Sequence, residues 1–181
     1  VELERPDLAT VAASDGTLTI YFCDIVDSTP HNRRLGDEAW LEMLRSHNDV
    51  VTQAVEEHEG SVVKTMGDGF MAVFRSARSA LRASIAIQLQ MASHNAGAET
   101  PIRMRIGLHT GEPMRHADDF FGNDVNYAAR VATAARGDEI LVPSVLHDLV
   151  ASGGEFALEE RPPVALKGLE GEHVTYAVGW N

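Results

Sequence analysis

The order of elements legible in this 181-residue sequence predicts an α+β fold. That order is β-α-β-β-α-β with further strands and helices behind it. It gives a ferredoxin-like βαββαβ core, an antiparallel sheet with helices packed on one face, and C-terminal additions. Three observations carry the prediction. Residues 18–23, Leu-Thr-Ile-Tyr-Phe-Cys, alternate like a half-buried strand. Two stretches, 37–58 and 76–95, place apolar residues at helical spacing. Between them, Gly67-Asp68-Gly69 separates two runs rich in Val, Phe and Met, as a tight hairpin does.

Each element has its own signal. Residues 1–16 show no periodicity, and Pro6, Asp7, Ser14, Asp15 and Gly16 mark an arm or linker. The rest, 17–181, reads as one domain. The first strand ends at Asp24, and Ser28-Thr29-Pro30 opens a loop. Two readings of that loop stand together: backbone N–H groups cradling phosphate near a helix start, and capping by Ser28 or Thr29. The helix over 37–58 carries Leu41, Leu44, Val51 and Val55 near one face, and Gly60 stops it. The hairpin strands are 61–66 and 70–74. Ser76 caps the next helix, with Leu81, Ile85 and Leu89 stacked, and Asn95, Gly97 and Pro101 end it. In the strand over 102–111, Met104, Ile106 and Leu108 face one way. A helix over 123–135, a strand over 139–142 and a short helix over 144–150 follow. The tail, 155–178, reads as strands broken at Pro162-Pro163.

Bulk properties narrow the function. Apolar residues make up 44%, an ordinary globular share. The net charge of −12 argues against a general nucleic-acid surface but not against a nucleotide, which brings its own metal. No run reaches membrane-spanning length, and the acidic N-terminus lacks the apolar core of a signal peptide. The first residue is Val, not Met, which fits a domain taken from a longer protein with regulatory domains or an anchor elsewhere. A single cysteine, Cys23, fits a reducing cytosol, and its place in a strand suits an inert buried thiol. The eight histidines show no zinc-like spacing, and Gly67-Asp68-Gly69 lacks the ending of a Walker phosphate loop.

The chemistry starts from two carboxylates. Asp68 sits at the hairpin tip and Asp24 at the end of the first strand, so the two can meet across neighbouring strands. Alone, Asp68 is an ordinary Asp-Gly turn. Together the pair can hold a divalent cation through oxygen, which suits magnesium or manganese with substrate phosphates completing the shell.

Phe22-Cys23-Asp24-Ile25-Val26-Asp27-Ser28-Thr29 followed by Lys64-Thr65-Met66-Gly67-Asp68-Gly69 resembles the catalytic domain of class III nucleotidyl cyclases. The match continues through Arg105-Ile106-Gly107-Leu108-His109-Thr110-Gly111 and Phe121-Gly122-Asn123-Asp124-Val125-Asn126-Tyr127-Ala128-Ala129-Arg130, and ends at Leu166-Lys167-Gly168-Leu169. It covers nearly all of the chain from Leu18 onward. The segment between Gly111 and Asn126 is short and resembles the compact bacterial branch, with a reduced arm toward the partner.

The resemblance implies roles. Asp24 and Asp68 are the carboxylates for two divalent ions, Mg2+ or Mn2+, with the Ile25 carbonyl completing one shell. Asp27 is structural or capping. Lys64 and Asp119 read the purine, and their donor and acceptor match adenine; a one-residue shift to Asp118 stays open. Asn126 positions the ribose and Arg130 stabilises charge on the α-phosphate, whereas on residues alone the two are a solvated i, i+4 pair. Lys167 contacts the terminal phosphates or is a turn lysine. Arg105 contacts phosphate or forms a structural salt bridge. The implied protein is a cytoplasmic adenylate cyclase that turns ATP into 3′,5′-cyclic AMP and pyrophosphate. It works as a homodimer with shared active sites and makes no nucleic-acid or membrane contact through this segment. The alternatives are a guanylate cyclase and a silent nucleotide-binding regulatory domain.

Overall fold

A computed structural model describes residues 16–181, so the expected arm over 1–16 lies outside the described residues but for Gly16. The hydrophobic pattern yields a seven-stranded sheet in the order β2-β3-β1-β4-β7-β9-β8. Its strands are β1 (Leu18–Ile25), β2 (Gly60–Met66), β3 (Gly69–Phe74), β4 (Met104–Gly111), β7 (Glu139–Pro143), β8 (Leu158–Ala165) and β9 (Glu172–Val178). The first four neighbours are antiparallel and form the βαββαβ core, while β4 and β7 run parallel. A separate hairpin joins β5 (Met114–His116) to β6 (Asp119–Phe121). The helices are α1 (Ser28–Leu35), α2 (Asp37–Glu57), α3 (Ala77–Asn95), α4 (Asn123–Ala134) and α5 (Ser144–Val150).

Both faces of the sheet are covered. Tyr21, Cys23 and Ile25 pack with Val51, Val55, Leu81, Ile87 and Leu146, which puts α2, α3 and α5 on one face. Leu18 and Ile20 point the other way and meet Val125 and Ala128 of α4. The expected single helical face therefore becomes two, and β1 is a central strand buried on both sides rather than half-buried. Burial pushes the Cys23 thiol up to about 12, so it stays protonated.

Helix faces shift from the sequence reading for a geometric reason. Leu41 is 49% exposed, because Trp40, Met43 and Leu44 take its place against the core. Leu89 is 48% exposed. A spacing of four advances about 400° round a helix, so two such steps leave Leu89 about 80° away from Leu81. The buried stripe instead runs through Leu81, Ser84, Ile87, Gln88 and Met91.

The loop opened by Ser28 turns out to be α1. Its N-cap is Asp27, left-handed at φ 56°, and no side chain caps it, so neither Ser28 nor Thr29 has the expected capping role. Pro30 is tolerated in the first turn, where its missing N–H has no intrahelical partner to lose. Ser76 does cap α3, accepting from the Ser79 N–H at 3.3 Å. Pro162 and Pro163 coincide with the register shift between Arg161 and Val164 in the edge strand β8. Among the described residues, no helix is long and apolar enough to cross a membrane.

Candidate active site

The site grows from the end of β1, where an apolar strand meets its first carboxylate. Asp24 continues the face of Leu18 and Ile20, the side covered by α4. Its cross-strand partner on β4 is Arg105. The guanidinium grips both carboxylate oxygens, Nε to Oδ1 at 2.5 Å and Nη2 to Oδ2 at 2.9 Å. Its third arm, Nη1, donates to the Thr133 carbonyl in the last turn of α4 at 3.1 Å, satisfying a helix-end acceptor. The bond to Asp24 holds the Arg105 guanidinium above the ordinary arginine range.

The β2–β3 hairpin brings the second carboxylate to the same strand end. Gly67 is left-handed at φ 66°, and a Cβ on Gly69 would stand 2.9 Å from the Cys23 carbonyl oxygen. The hairpin can therefore abut β1 closely. Asp68 Oδ2 accepts from the Ile25 N–H at 3.1 Å, one residue past Asp24. Asp24, Asp68 and the Ile25 carbonyl could together offer a cation oxygen atoms only. That chemistry fits a hard cation such as magnesium or manganese. Two protein carboxylates leave most of a six-ligand shell for water and phosphate. Among the described residues, no three His, Cys, Asp or Glu side chains converge on one point as a closed zinc site requires.

A second constellation lies on β2 and the small hairpin. Lys64 Nζ stands 2.6 Å from Asp119 Oδ2. The side chains are 39% and 28% exposed, so both are open to a ligand. Asp119 Oδ1 accepts from the Phe120 N–H at 2.8 Å, which fixes the carboxylate. The Phe121 ring flanks the pair, its centroid 5.8 Å from Nζ. Asp119 therefore meets Lys64. The hairpin itself had no signal in the sequence: its strands have three residues each, and its turn, Ala117-Asp118, contains no glycine. Ala117 pays for the turn with a left-handed φ of 51°.

Helix α4 carries Asn126, exposed, and Arg130, half-buried, one turn apart. Lys167 is exposed in the turn closed by the Leu169 N–H and the Leu166 carbonyl at 3.0 Å. These three side chains form no hydrogen bond or ion pair among the described residues. The structure thus joins Asp24 to Arg105, Asp68 to Ile25 and Lys64 to Asp119, and leaves the other three free to meet a ligand.

What seats α4 leaves no periodic signal in the sequence. A Cβ on Gly107 would lie 2.1 Å from the Ala132 nitrogen, and one on Gly111 would lie 2.3 Å from the Asp124 carboxyl carbon. The two glycines of β4 let the helix rest on the strand. Asp124 then accepts from His109 Nε2 and from the Glu112 N–H, each at 3.0 Å. His109 and Asp124 stand fifteen residues apart in two of the recognised stretches, and nothing in their spacing pairs them.

Comparison with known proteins gives the family and the fold. Residues 10–179 match the adenylate and guanylate cyclase catalytic domain family. An uncharacterised protein of Mycobacterium tuberculosis is 33% identical over 137 residues, covering 75% of this chain and 45% of that protein. An adenylate cyclase of Podospora anserina is 30% identical over 161 residues, covering 75% of this chain and 8% of its own length. This chain therefore spans less than half of either relative. In three dimensions the adenylyl cyclase CyaB from P. aeruginosa superimposes with a TM-score of 0.82, covering 90% of this chain and 93% of that one. At 24% identity that likeness is one of fold.

Proposed function

The chain belongs to the class III adenylate and guanylate cyclase catalytic domain family, and from that membership we propose that it is an adenylate cyclase. The reaction is ATP to 3′,5′-cyclic AMP and pyrophosphate. The observation that carries the choice of base is the 2.6 Å contact between Lys64 and Asp119. It sets a donor and an acceptor side by side on a half-exposed ledge. Lysine donates to the unprotonated N1 of adenine, and aspartate accepts from the N6 amino group. Guanine presents an N1–H to the ammonium and a carbonyl to the carboxylate, mismatched at both positions.

The remaining residues suit the transfer. Asn126 holds the ribose. Arg130 meets the negative charge that builds on the α-phosphate, a task for a fixed, always-charged guanidinium. Lys167 faces the terminal phosphates. Arg105 exchanges the Asp24 carboxylate for a phosphate when the site is loaded. Two magnesium or manganese ions held by Asp24, Asp68 and the Ile25 carbonyl supply charge neutralisation and a more acidic 3′-hydroxyl when bound. The bond from the 3′-oxygen to the α-phosphorus forms as the bond to the β-phosphate oxygen breaks. Pyrophosphate leaves with the electron pair, and the hydroxyl proton passes to solvent.

The active unit in this reading is a homodimer in the cytosol, with metal carboxylates from one chain and the purine pair and Asn–Arg helix from the other. Met114, 68% exposed, and Phe121, 47% exposed, pair across the small hairpin beside Lys64 and offer apolar area for a second copy to cover. The test is product analysis with purified protein, given ATP or GTP with magnesium or manganese. Cyclic AMP should dominate. Predominant cyclic GMP would make the protein a guanylate cyclase. No cyclic nucleotide at any protein concentration would make it a silent nucleotide-binding domain.

A further inference from the structure

Tyr127 lies on α4 directly after Asn126 and three residues before Arg130. Its hydroxyl is 3.0 Å from Nδ1 of His173, at the start of β9. The other ring nitrogen of His173 is 3.1 Å from the Glu170 carbonyl oxygen. Glu170 belongs to the same short connection as Lys167. A carbonyl only accepts, so Nε2 carries the proton, and in the neutral ring Nδ1 is then the acceptor. In the neutral ring the tyrosine hydroxyl therefore donates to Nδ1.

The tyrosine ring is held on both sides. It tilts against His109 with centroids 4.6 Å apart and meets His173 edge-on at 5.3 Å. His109 is anchored in turn to Asp124 on the first turn of α4. The result is a continuous path from β4 through α4 to the Lys167 connection. That connection includes the left-handed glycines Gly168 and Gly171, and Lys167 itself has no partner among the described residues. Leu166 and Leu169 of the connection also pack with Val131 and Tyr127 of α4, and the hydrogen bond adds a directional tie to that apolar contact.

We propose that Tyr127 is a positioning residue: its hydrogen bond to His173 clamps the connection bearing Lys167 to the helix bearing Asn126 and Arg130, fixing the gap between the groups that meet the α-phosphate and the terminal phosphates. The inference rests on the cyclase reading above and extends it to two residues outside the recognised roles. It concerns triphosphate recognition and leaves base recognition alone.

The experiment measures dissociation constants of a non-cyclisable ATP analogue, α,β-methylene-ATP, and of AMP at fixed protein and magnesium concentrations. The proteins are wild type, Tyr127→Phe, Lys167→Ala and the double variant. Phenylalanine keeps the ring packing and removes only the hydroxyl. Tyr127→Phe should weaken the triphosphate analogue about three- to tenfold, the range of one hydrogen bond, and leave AMP unchanged. On the Lys167→Ala background the same change should cost nothing further. His173→Gln, altering the other end of the bond, should reproduce the pattern. Equal losses for AMP and the analogue, no loss for either, or an undiminished loss without Lys167 would each overturn the clamp while sparing the cyclase reading. If Lys167→Ala alone leaves the analogue's affinity unchanged, the phosphate role of Lys167 falls and the clamp falls with it.

Discussion

Lys64 and Asp119 stand 55 residues apart in the chain, and their charged atoms meet at 2.6 Å. The contact depends on two local irregularities. A register shift between Val62 and Lys64 interrupts the β2–β3 ladder, and the small hairpin places Asp119 opposite. With both side chains partly exposed, the pair adds at most about 1 kcal/mol to stability. Its value lies in presenting a donor beside an acceptor.

The first prediction concerns that pattern. Lys64→Glu combined with Asp119→Cys should lower kcat/KM for ATP and raise relative use of GTP. Each mismatched buried polar group costs roughly 1–3 kcal/mol, so the ATP/GTP ratio should fall by at least about tenfold. An unchanged ratio would show that the pair does not read the base. Lys64→Glu alone should be worse folded than the double variant, because it sets two carboxylates against each other.

How α4 meets β4 gives the second prediction. Gly107→Ala would drive a methyl group into the backbone of α4, 2.1 Å from the Ala132 nitrogen. Backbone cannot swing aside as a side-chain end can. The substitution should destabilise the domain by about 3 kcal/mol, at the upper end of overpacking costs. It should also reduce turnover in whatever fraction stays folded, because the helix bearing Asn126 and Arg130 must lift. Urea unfolding and single-turnover rates check both. A stable, fully active Gly107→Ala protein would mean that the contact relaxes freely.

Legibility followed locality. The strands of the seven-stranded sheet, the Gly-Asp-Gly hairpin, the Ser76 cap and the face of Met104, Ile106 and Leu108 depend on neighbours in sequence and are readable there, whereas β5 and β6 are not. The candidate site residues lie in short sequence motifs, which carry no signal of the direct Lys64–Asp119 ion pair or of the Arg105–Asp24 one. Arg105 had two open readings, and its bidentate hold on Asp24 appears only once β1 and β4 lie in register. The second helical face of the sheet was missed because α4 is seated by absent Cβ atoms on Gly107 and Gly111, which leave no periodic signal. His109, Asp124, Tyr127 and His173 carry no local signal for a related reason: each has its partner on another element.

The third prediction is about acid. His47 is 1% exposed on α2, packed on Phe70, with Nδ1 beside Asn48 and Nε2 lacking a hydrogen-bond partner among the described residues. Burial lowers its pKa below 6.5, outweighing the Asn48 bond and the more distant Asp68 charge. Burial also lowers His109, which outweighs its contact with Asp124. For both, the unfolded chain binds the proton more tightly, so stability is full above pH 6.5 and is lost as pH falls toward the folded values. His47→Leu should flatten part of this slope in a plot of Tm against pH. At pH 7 it should stabilise the domain by up to about 2 kcal/mol, since an orphaned buried nitrogen costs about 1–3 and the lost Asn48 bond is worth about 1. A variant that is less stable at pH 7 would mean that Nε2 has a partner, such as a buried water.

The last prediction is that the active unit shares its sites between two copies. Within one chain, Asp24 and Asp68 gather at the end of β1, while Lys64 and Asp119 form a separate pair, with no hydrogen bond or ion pair between the two sets among the described residues. A two-fold axis that sets the carboxylates of one copy against the purine pair and α4 of the other would complete two identical sites. Asp24→Ala protein should then be inactive alone, because both sites lack a carboxylate. Asn126→Ala with Arg130→Ala should be nearly inactive alone, because both lack the other half. In a mixed dimer the two defects fall in one site and the second is wild type throughout. Random equal mixing makes about half the dimers mixed, each with one good site of two, so about a quarter of full activity should return. Wild-type specific activity should fall on dilution as the dimer dissociates. If labelled chains exchange and mixing restores nothing, each chain carries its own complete site.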